Sequence, residues 1–392
     1  MQGDSGRRLR QPGGGGGCRS VLLAPAAAKV GLRRRPAEGG DHHMKIGIYA
    51  LAKNEQKHAT YWASSCKEAD VRVVTDTGST DDTVQLLELE GVTVARGYVC
   101  PWRWDDAHNL SLNHLPADVD VCVRLDLDER LQPGWRDAIE QAWTDGVNNL
   151  RYRYVWSWKE DGSPGLVFHS DRVHARQGFR WMSATHEGLV CWTGQKHQAL
   201  AEGLEIHHHR DAGKTHKTDL RLLEVATREA PHDARVRWYY ARELDYAGRP
   251  EAAAEFHAYL KMPGGQVTER AYARRVLYRL LGDEMLLHEA CREAGNEADN
   301  WLALALVRYE QQNWQQCLAF AESALASTDA TTHATDPDAK GKAADLAAVA
   351  AWNLGKRPEA LTYAEAALRH FPADSRIVNN VTEMRQQLAQ AS

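Results

Sequence analysis

Two carboxylates one residue apart, Asp126 and Asp128, close an apolar run that starts at Val119 and continues Asp-Val-Cys-Val-Arg-Leu before the first of them. In an extended chain successive side chains alternate faces, so residues two apart share one. On that reading both acids reach one point at a strand's carboxyl end, the rim where open α/β sheets bind ligands. Paired carboxylates suit a hard divalent cation, Mn2+ or Mg2+, and the cation suits a substrate diphosphate. The same triplet alone reads more readily as a solvated turn, so its surroundings carry the reading.

Those surroundings alternate. Short apolar runs at 45–51, 71–76, 92–95 and 119–125 have strand character, and 55–67, 81–90 and 105–115 read as helices between and after them. Thr80 can cap the second helix, with Asp81 and Asp82 near its positive end. Further strands at 151–156 and 165–168 flank a Gly162-Ser163-Pro164-Gly165 turn. Strands alternating with helices predict an α/β, Rossmann-like domain with a mainly parallel sheet over 44–213.

From about Lys214 strand signals vanish and Ala-rich helical stretches pair around short turns: 239–247 with 251–260, 272–281 with 283–291, 301–311 with 314–325, and 344–354 with 359–370. The turn positions 248, 282, 313 and 355 are spaced by 34, 31 and 42 residues, the last gap holding the polar insert 331–338. A period near 34 with paired amphipathic helices resembles tetratricopeptide repeats over 214–392, with an unrelated helical bundle as the alternative.

The 392 residues suffice for two or three domains, and 43% hydrophobic content suits globular cores. A net charge of -5 gives no reason to expect nucleic-acid binding by bulk electrostatics. One local strip, Arg270, Arg274, Arg275 and Arg279, is a basic surface or a solvated helix face. Seven cysteines, at 18, 66, 100, 122, 191, 291 and 317, form no Cys-x-x-Cys pair, so a reducing, cytoplasmic setting is expected. No run is long and apolar enough to span a membrane. Residues 1–43, with Gly13 to Gly17 and Arg33-Arg34-Arg35, read as a disordered leader or as sequence upstream of a start at Met44.

Four motifs stand in order: Ala52-Lys53-Asn54-Glu55, Asp76-Thr77-Gly78-Ser79-Thr80-Asp81-Asp82-Thr83, Trp104-Asp105-Asp106-Ala107-His108-Asn109 and Leu125-Asp126-Leu127-Asp128-Glu129. With them the chain from Met44 onward resembles family 2 glycosyltransferases of the GT-A fold, in the branch that joins a nucleotide-sugar domain to tetratricopeptide repeats. It departs at His108, where relatives usually carry Arg before the Asn. The resemblance implies an inverting, metal-dependent transfer from a UDP-sugar to a hydroxyl or similar nucleophile. A nucleobase imide edge needs an acceptor and donors: Asp76 can accept, and amides around Ala52 and the Asn54 side chain can donate. Gly78 permits a close approach or a positive φ. Glu55 supports the site or caps a helix, and Asp82, Asn109 and Asp126 complete the donor-binding set.

The resemblance further implies a late histidine returning to the metal, for which Ile206-His207-His208-His209 offers His207 first and His209 next. It places a His-Glu pair near the acceptor, so Glu187 is the candidate base and His186 its orienting or phosphate-contacting partner. A structural ion pair of Glu187 with Arg180 or Arg176 is the alternative, and Asp105 or Asp106 are substitutes. Trp156, Trp158 and Trp181 read as stacking platforms or as core. The acceptor is a peptide or protein, a saccharide or a modified DNA base, DNA being disfavoured by the acidic balance. The repeats would form a concave surface for the acceptor or a second protomer. The rival reading is an inactive scaffold whose repeats bind a protein.

Overall fold

The computed structural model describes residues 43–159, 161–211, 220–328 and 335–391. The expected leader, His43 apart, and the expected boundary at 213/214 lie outside them.

The first part opens with β1 (Ile46–Ala52), α1 (Gln56–Ser65), β2 (Val71–Asp76), α2 (Thr83–Leu89), β3 (Thr93–Arg96), α3 (Trp104–Asn113) and β4 (Val121–Arg124). It continues through β5 (Glu129–Leu131), α4 (Trp135–Ala142), β6 (Asn149–Val155), β7 (Val167–Ala175), β8 (Phe179–Met182), β9 (Gly188–Cys191) and β10 (Gln198–His208). Eight strands make one mostly parallel sheet in the order β3-β2-β1-β4-β7-β6-β10-β5, and β8 and β9 form a separate hairpin. The first four run parallel, β7 is antiparallel to both β4 and β6, and β5 is antiparallel to β10.

Why these segments become strands is visible in their burial. β1 is buried on both faces. Ile46, Ile48 and Ala50 join Trp62 of α1 and Trp135 and Ile139 of α4 on one side. Tyr49 meets Val73, Leu112 and Leu115 on the other. Strands covered on both faces read as near-continuous apolar runs, as here. Gly47 is required by space, since a Cβ there would meet side-chain atoms of Leu115 and Val119 at 3.0 Å. The register sets Ala52 beside Asp76, and Tyr49 beside Arg124, so the loops after β1, β2 and β4 leave by one edge.

The second part is helical. α5 (Leu220–Glu229) precedes the hairpins α6 (Ala234–Tyr246) with α7 (Ala252–Lys261), and α8 (Val267–Leu281) with α9 (Met285–Glu293). Then come α10 (Ala298–Glu310) with α11 (Trp314–Ala326), α12 (Ala339–Asn353) with α13 (Arg357–His370), and a closing α14 (Ser375–Ala391). All four turn positions read from the sequence fall between paired helices. Gly248, Gly282 and Gly355 take φ of 65, 76 and 77°, which stops a helix at little steric cost. Asn313 instead caps α11 by accepting from the Gln316 amide. Ala321, Ala343, Ala347, Ala351, Ala360 and Ala364 fill the last hairpins' core, small side chains letting helices pack closely.

The basic strip is neutralised within this array. Arg270 pairs with Glu293, Arg274 with Glu289 and Glu293, Arg275 with Glu297 and Asp299, and Arg279 with Asp245. Each of the four guanidiniums thus has a carboxylate partner within the helical array. Among the described residues no helix is long and apolar enough to cross a membrane, and the six described cysteines are free thiols.

Candidate functional site

At the exit of β1 and β2 the polar residues first brace one another. Both Asp76 oxygens accept from the amides of its own loop, Gly78 and Ser79. Asn54, at φ 57°, accepts the Thr80 amide at 2.8 Å. The Ala52 carbonyl takes both the amide and the hydroxyl of Thr77. The Glu55 amide donates to Thr83 Oγ1, and Asp82 is the N-cap residue of α2 without a side-chain cap bond. The capping acid is Asp81, which accepts from the Thr83 amide and hydroxyl and from the Gln56 amide; the expected cap at Thr80 is thereby displaced. Gly78 stands at φ 105° with nothing within 4 Å of a built Cβ, so the positive φ, not space, requires glycine. Gly78→Ala should therefore cost about 1–2 kcal/mol through backbone strain alone, read as a lowered urea midpoint; a neutral substitution would show that the loop relaxes freely.

The carboxylate pair sits differently from the extended strand expected. β4 ends at Arg124, and the Glu129 amide donates back to the Asp126 carbonyl, so residues 126–129 form a turn before β5. Strand alternation stops there, and each acid finds its own partners. Asp126 lies between two guanidiniums, Arg124 Nη2 at 3.0 Å and Arg172 Nη1 at 3.2 Å. Burial would raise its pKa, but the two arginines more than offset that and hold it below the usual range. The Trp62 indole donates to the Leu125 carbonyl at 3.0 Å, fixing the chain one residue before Asp126. Beneath the turn Glu129, 1% exposed, accepts from the Asp126 amide, the Tyr154 hydroxyl and Arg172.

Asp128 meets an imidazole, but it is His208 rather than His207 or His209: Nε2 of His208 lies 3.3 Å from Asp128 Oδ2. The reason is strand parity. Leu204, Ile206 and His208 face inward from β10 and are buried, whereas Glu205 and His207 face the other way and pair with each other. His207 and the exposed His209 flank Trp158 instead. His208 Nδ1 lies 3.0 Å from the Trp156 carbonyl, which can only accept, so Nδ1 holds the proton and Nε2 faces Asp128. Its ring stacks on Trp156 at 4.6 Å. Burial lowers its pKa, yet Asp128 and that carbonyl raise it above its ordinary value overall.

On the opposite side Glu187 Oε1 stands 3.1 Å from His108 Nε2 and 3.5 Å from Arg124 Nη2, not beside Arg176 or Arg180. Arg176 instead donates to the carbonyls of Leu115 and Pro116. His108 is 1% exposed, packs against Trp104 and Trp181, and has neither ring nitrogen in a well-aligned hydrogen bond. Burial and then Arg124 push its pKa down, against the pull of Glu187. For Glu187 burial acts upward, but His108 and Arg124 prevail and bring it to about 2. Its carboxylate is thus ionised at neutral pH.

The pH sign follows. A depressed carboxyl stabilises the fold above its unfolded pKa and loses that contribution as pH falls through the folded value. Between wild type and Glu187→Gln the stability gap should be on the order of 3 kcal/mol at neutral pH and close as pH drops from about 4.5 toward 2. Melting temperatures across that range measure it, and a gap independent of pH contradicts the assignment.

His186, expected to orient Glu187, turns away and stacks on Tyr239 of α6 at 3.9 Å, with 4° between the planes. Burial, then Arg242, pushes its pKa down to about 4. Asn109 is committed to structure, exchanging two hydrogen bonds with the Trp181 main chain at 2.9 Å each. Trp181 is core: its indole donates to the Tyr49 hydroxyl, which in turn meets His174. Asp105 is held by Arg103, and the exposed Asp106 also lies near that guanidinium. Sequence reasoning did not pick Arg124, Arg172, Glu129, Tyr154 or His208 as functional. Arg124 was discoverable, sitting two residues before Asp126; Arg172 arrives from β7, with no local signal.

The donor set of Asp126, Asp128 and His208 has the chemistry of a Mn2+ or Mg2+ site: two hard oxygen donors and one imidazole. Among the described residues no three His, Cys, Asp or Glu side chains are grouped so as to hold a metal by themselves. A cation that keeps waters and takes further oxygens from a diphosphate needs no such cage.

No protein family matches the chain, and no curated protein does. Solved structures it resembles are mostly tetratricopeptide-repeat proteins. One is a thermophilic repeat protein from Thermus thermophilus, at 20% identity over 43% of this chain and 89% of that one, with a TM-score of 0.29. Another is YrrB, described as having an unusual peptide-binding site, at 15% identity over 44% and 86%, with a TM-score of 0.36. A third is glucosyl-3-phosphoglycerate synthase from Mycobacterium tuberculosis, solved with Mn2+, UDP and phosphoglyceric acid. It matches at 23% identity over 29% of this chain and 44% of that one, with a TM-score of 0.25. At these scores the likenesses carry no functional argument, which rests on the site itself.

Proposed function

We propose that the protein is a glycosyltransferase of GT-A type. Its α/β part takes a UDP-sugar at the edge where β1, β2 and β4 end, and transfers the sugar to a nucleophile near Glu187. The observation that carries the reading is the pair of polar clusters at that edge: Asp128 with His208, and Asp126 between Arg124 and Arg172, with Glu187 held by Arg124 and His108. Asp126, Asp128 and His208 would hold Mn2+ or Mg2+. When bound, the cation supplies Lewis-acid stabilisation of the departing diphosphate.

The chain's own groups do the rest. Arg124 and Arg172 fix the direction of the Asp126 carboxylate. The loop from Asp76 to Asp81, braced by its own hydrogen bonds, borders the donor edge. Glu187 receives the acceptor's proton as the bond to the sugar forms, with His108 beside it. A carboxylate held at about 2 is a weak base, so its use fits an acceptor whose proton leaves late, after the bond to the leaving group has largely broken. The helical hairpins suit a peptide or protein acceptor, since four stacked hairpins present an extended surface. The six free thiols among the described residues fit a cytoplasmic setting.

Incubation with a panel of UDP-sugars and Mn2+, with mass-spectrometric detection of hydrolysis and of modified acceptors, tests the proposal. Absence of turnover and of binding across the panel rejects it. One observation favours the rival reading of an inert α/β part on a binding scaffold: both Asp126 oxygens already face guanidiniums. Calorimetry with UDP and Mn2+ separates the two, because an inert part shows no metal-dependent binding.

A further inference from the structure

We infer that the first helical hairpin is part of the candidate site, with Tyr239 and His186 acting as positioning residues for Glu187. The inference rests on where Glu187 is held and not on the reaction assigned to it.

Residues 183–187 lie between β8 and β9 and have two sides. On one, Glu187 reaches His108 and Arg124, and Arg124 reaches Asp126. On the other, the adjacent His186 lies flat on Tyr239 at 3.9 Å. Between them Ala184, fully buried, packs with Leu222 and Ala226 of α5 and Val236 of α6. The Ala184 carbonyl accepts the Trp104 amide at 3.0 Å, at the start of the helix that carries His108. Arg103, one residue earlier, forks onto both Asp105 and Glu229 at the end of α5. The same short loop is thus clamped by the helical array from one side and by the site from the other.

Its backbone needs that clamp. Ser183 and His186 stand at φ 89 and 50°, in the left-handed region that non-glycine residues avoid. Two such residues within four positions persist only where the surroundings over-determine them. The ring planes of His186 and Tyr239 lie 4° apart, so the contact is a flat stack. Tyr239 is itself pinned by the guanidiniums of Arg235 and Arg242, at 5.3 and 5.1 Å from its ring. A side chain adjacent to a clamped, strained residue cannot reorient independently. Displacement of α6 therefore displaces Glu187.

Hydrogen exchange followed by mass spectrometry on the full chain tests this without any ligand. In Tyr239→Ala the peptide spanning 183–188 should exchange at least about fivefold faster, while the β1 peptide stays unchanged as the control for folding. Tyr239→Phe keeps the stacking face and should stay within about twofold of wild type. His186→Ala should match Tyr239→Ala, and the double variant should add nothing to either. If Tyr239→Ala does not fold, His186→Ala carries the same comparison. Unchanged exchange in the alanine variant, or equal loosening in Tyr239→Phe, overturns the inference. Either outcome is independent of the UDP-sugar panel, so failure here and failure of the transferase reading are read separately.

Discussion

Alanine at position 128 should abolish metal-dependent UDP binding and transfer, by about 100-fold or more, while leaving the circular dichroism spectrum intact. Asp128 occupies the turn after β4, its side chain is 28% exposed, and among the described residues its carboxylate pairs with His208. Removing it takes nothing from either hydrophobic core. What it removes is the carboxylate of the pair that no guanidinium holds, which is also the one that raises the His208 pKa. The neighbouring Asp126 cannot substitute without leaving two guanidiniums. Calorimetry with UDP in Mn2+, set beside the same titration in chelator, measures the loss. Binding within about twofold of wild type would remove Asp128 from the site, since a metal ligand cannot be that cheap to lose.

Glu129 should behave in the opposite manner, with a large effect on stability. It is the most enclosed acid of the network, and three donors converge on it: the Asp126 amide, the Tyr154 hydroxyl and Arg172. Glu129→Ala leaves the Arg172 guanidinium, 13% exposed, with Asp126 as its remaining anion. Breaking one side of a buried pair typically costs about 3–5 kcal/mol, because the surviving charge stays desolvated. The urea midpoint should fall accordingly. Arg172→Leu tests the same contact from the other partner, and the double replacement should cost less than the sum of the singles. A loss below about 1 kcal/mol would mean that water reaches the network and screens it.

The two acids show what the sequence could and could not say about this site. An apolar run that ends in Asp-x-Asp marks a strand exit, and the strand is there. The alternation rule then failed by two residues, because the chain enters a turn at Asp126 and pairs β5 with β10. The histidine choice failed by one residue for a related reason. Leu204 and Ile206 set the inward parity of β10, and that parity selects His208; reading His207 and His209 as a shared face was correct about the face and incorrect about its direction. Asp76 was chosen at a strand end and Asn109 from the motif on the third helix, and they lie in those elements. Their hydrogen-bonding groups, however, meet the protein's own main chain. Asp76 is satisfied within its own loop, whereas the partner of Asn109 comes from β8, which no local pattern contains.

The helical part was legible for a different reason. Each hairpin packs mainly on its neighbours, so period, turn residues and apolar spacing suffice to place it, and Gly248, Gly282, Asn313 and Gly355 lie between paired helices. The strip of four arginines was also visible, but their partners were not: Glu293 and Asp245 come from other helices. Patterns carried by neighbours in the chain therefore determined the succession of strands and helices, the hairpin repeat and the carboxylate-bearing exit of β4. The tertiary structure alone decided which charges face one another, that Arg172 from β7 closes on Asp126, and that Tyr239 of the helical array rests on the residue beside Glu187. Local propensity and periodicity act within a few residues. Ion pairs, stacking and desolvation act through space, and folding sets their partners only when distant segments meet.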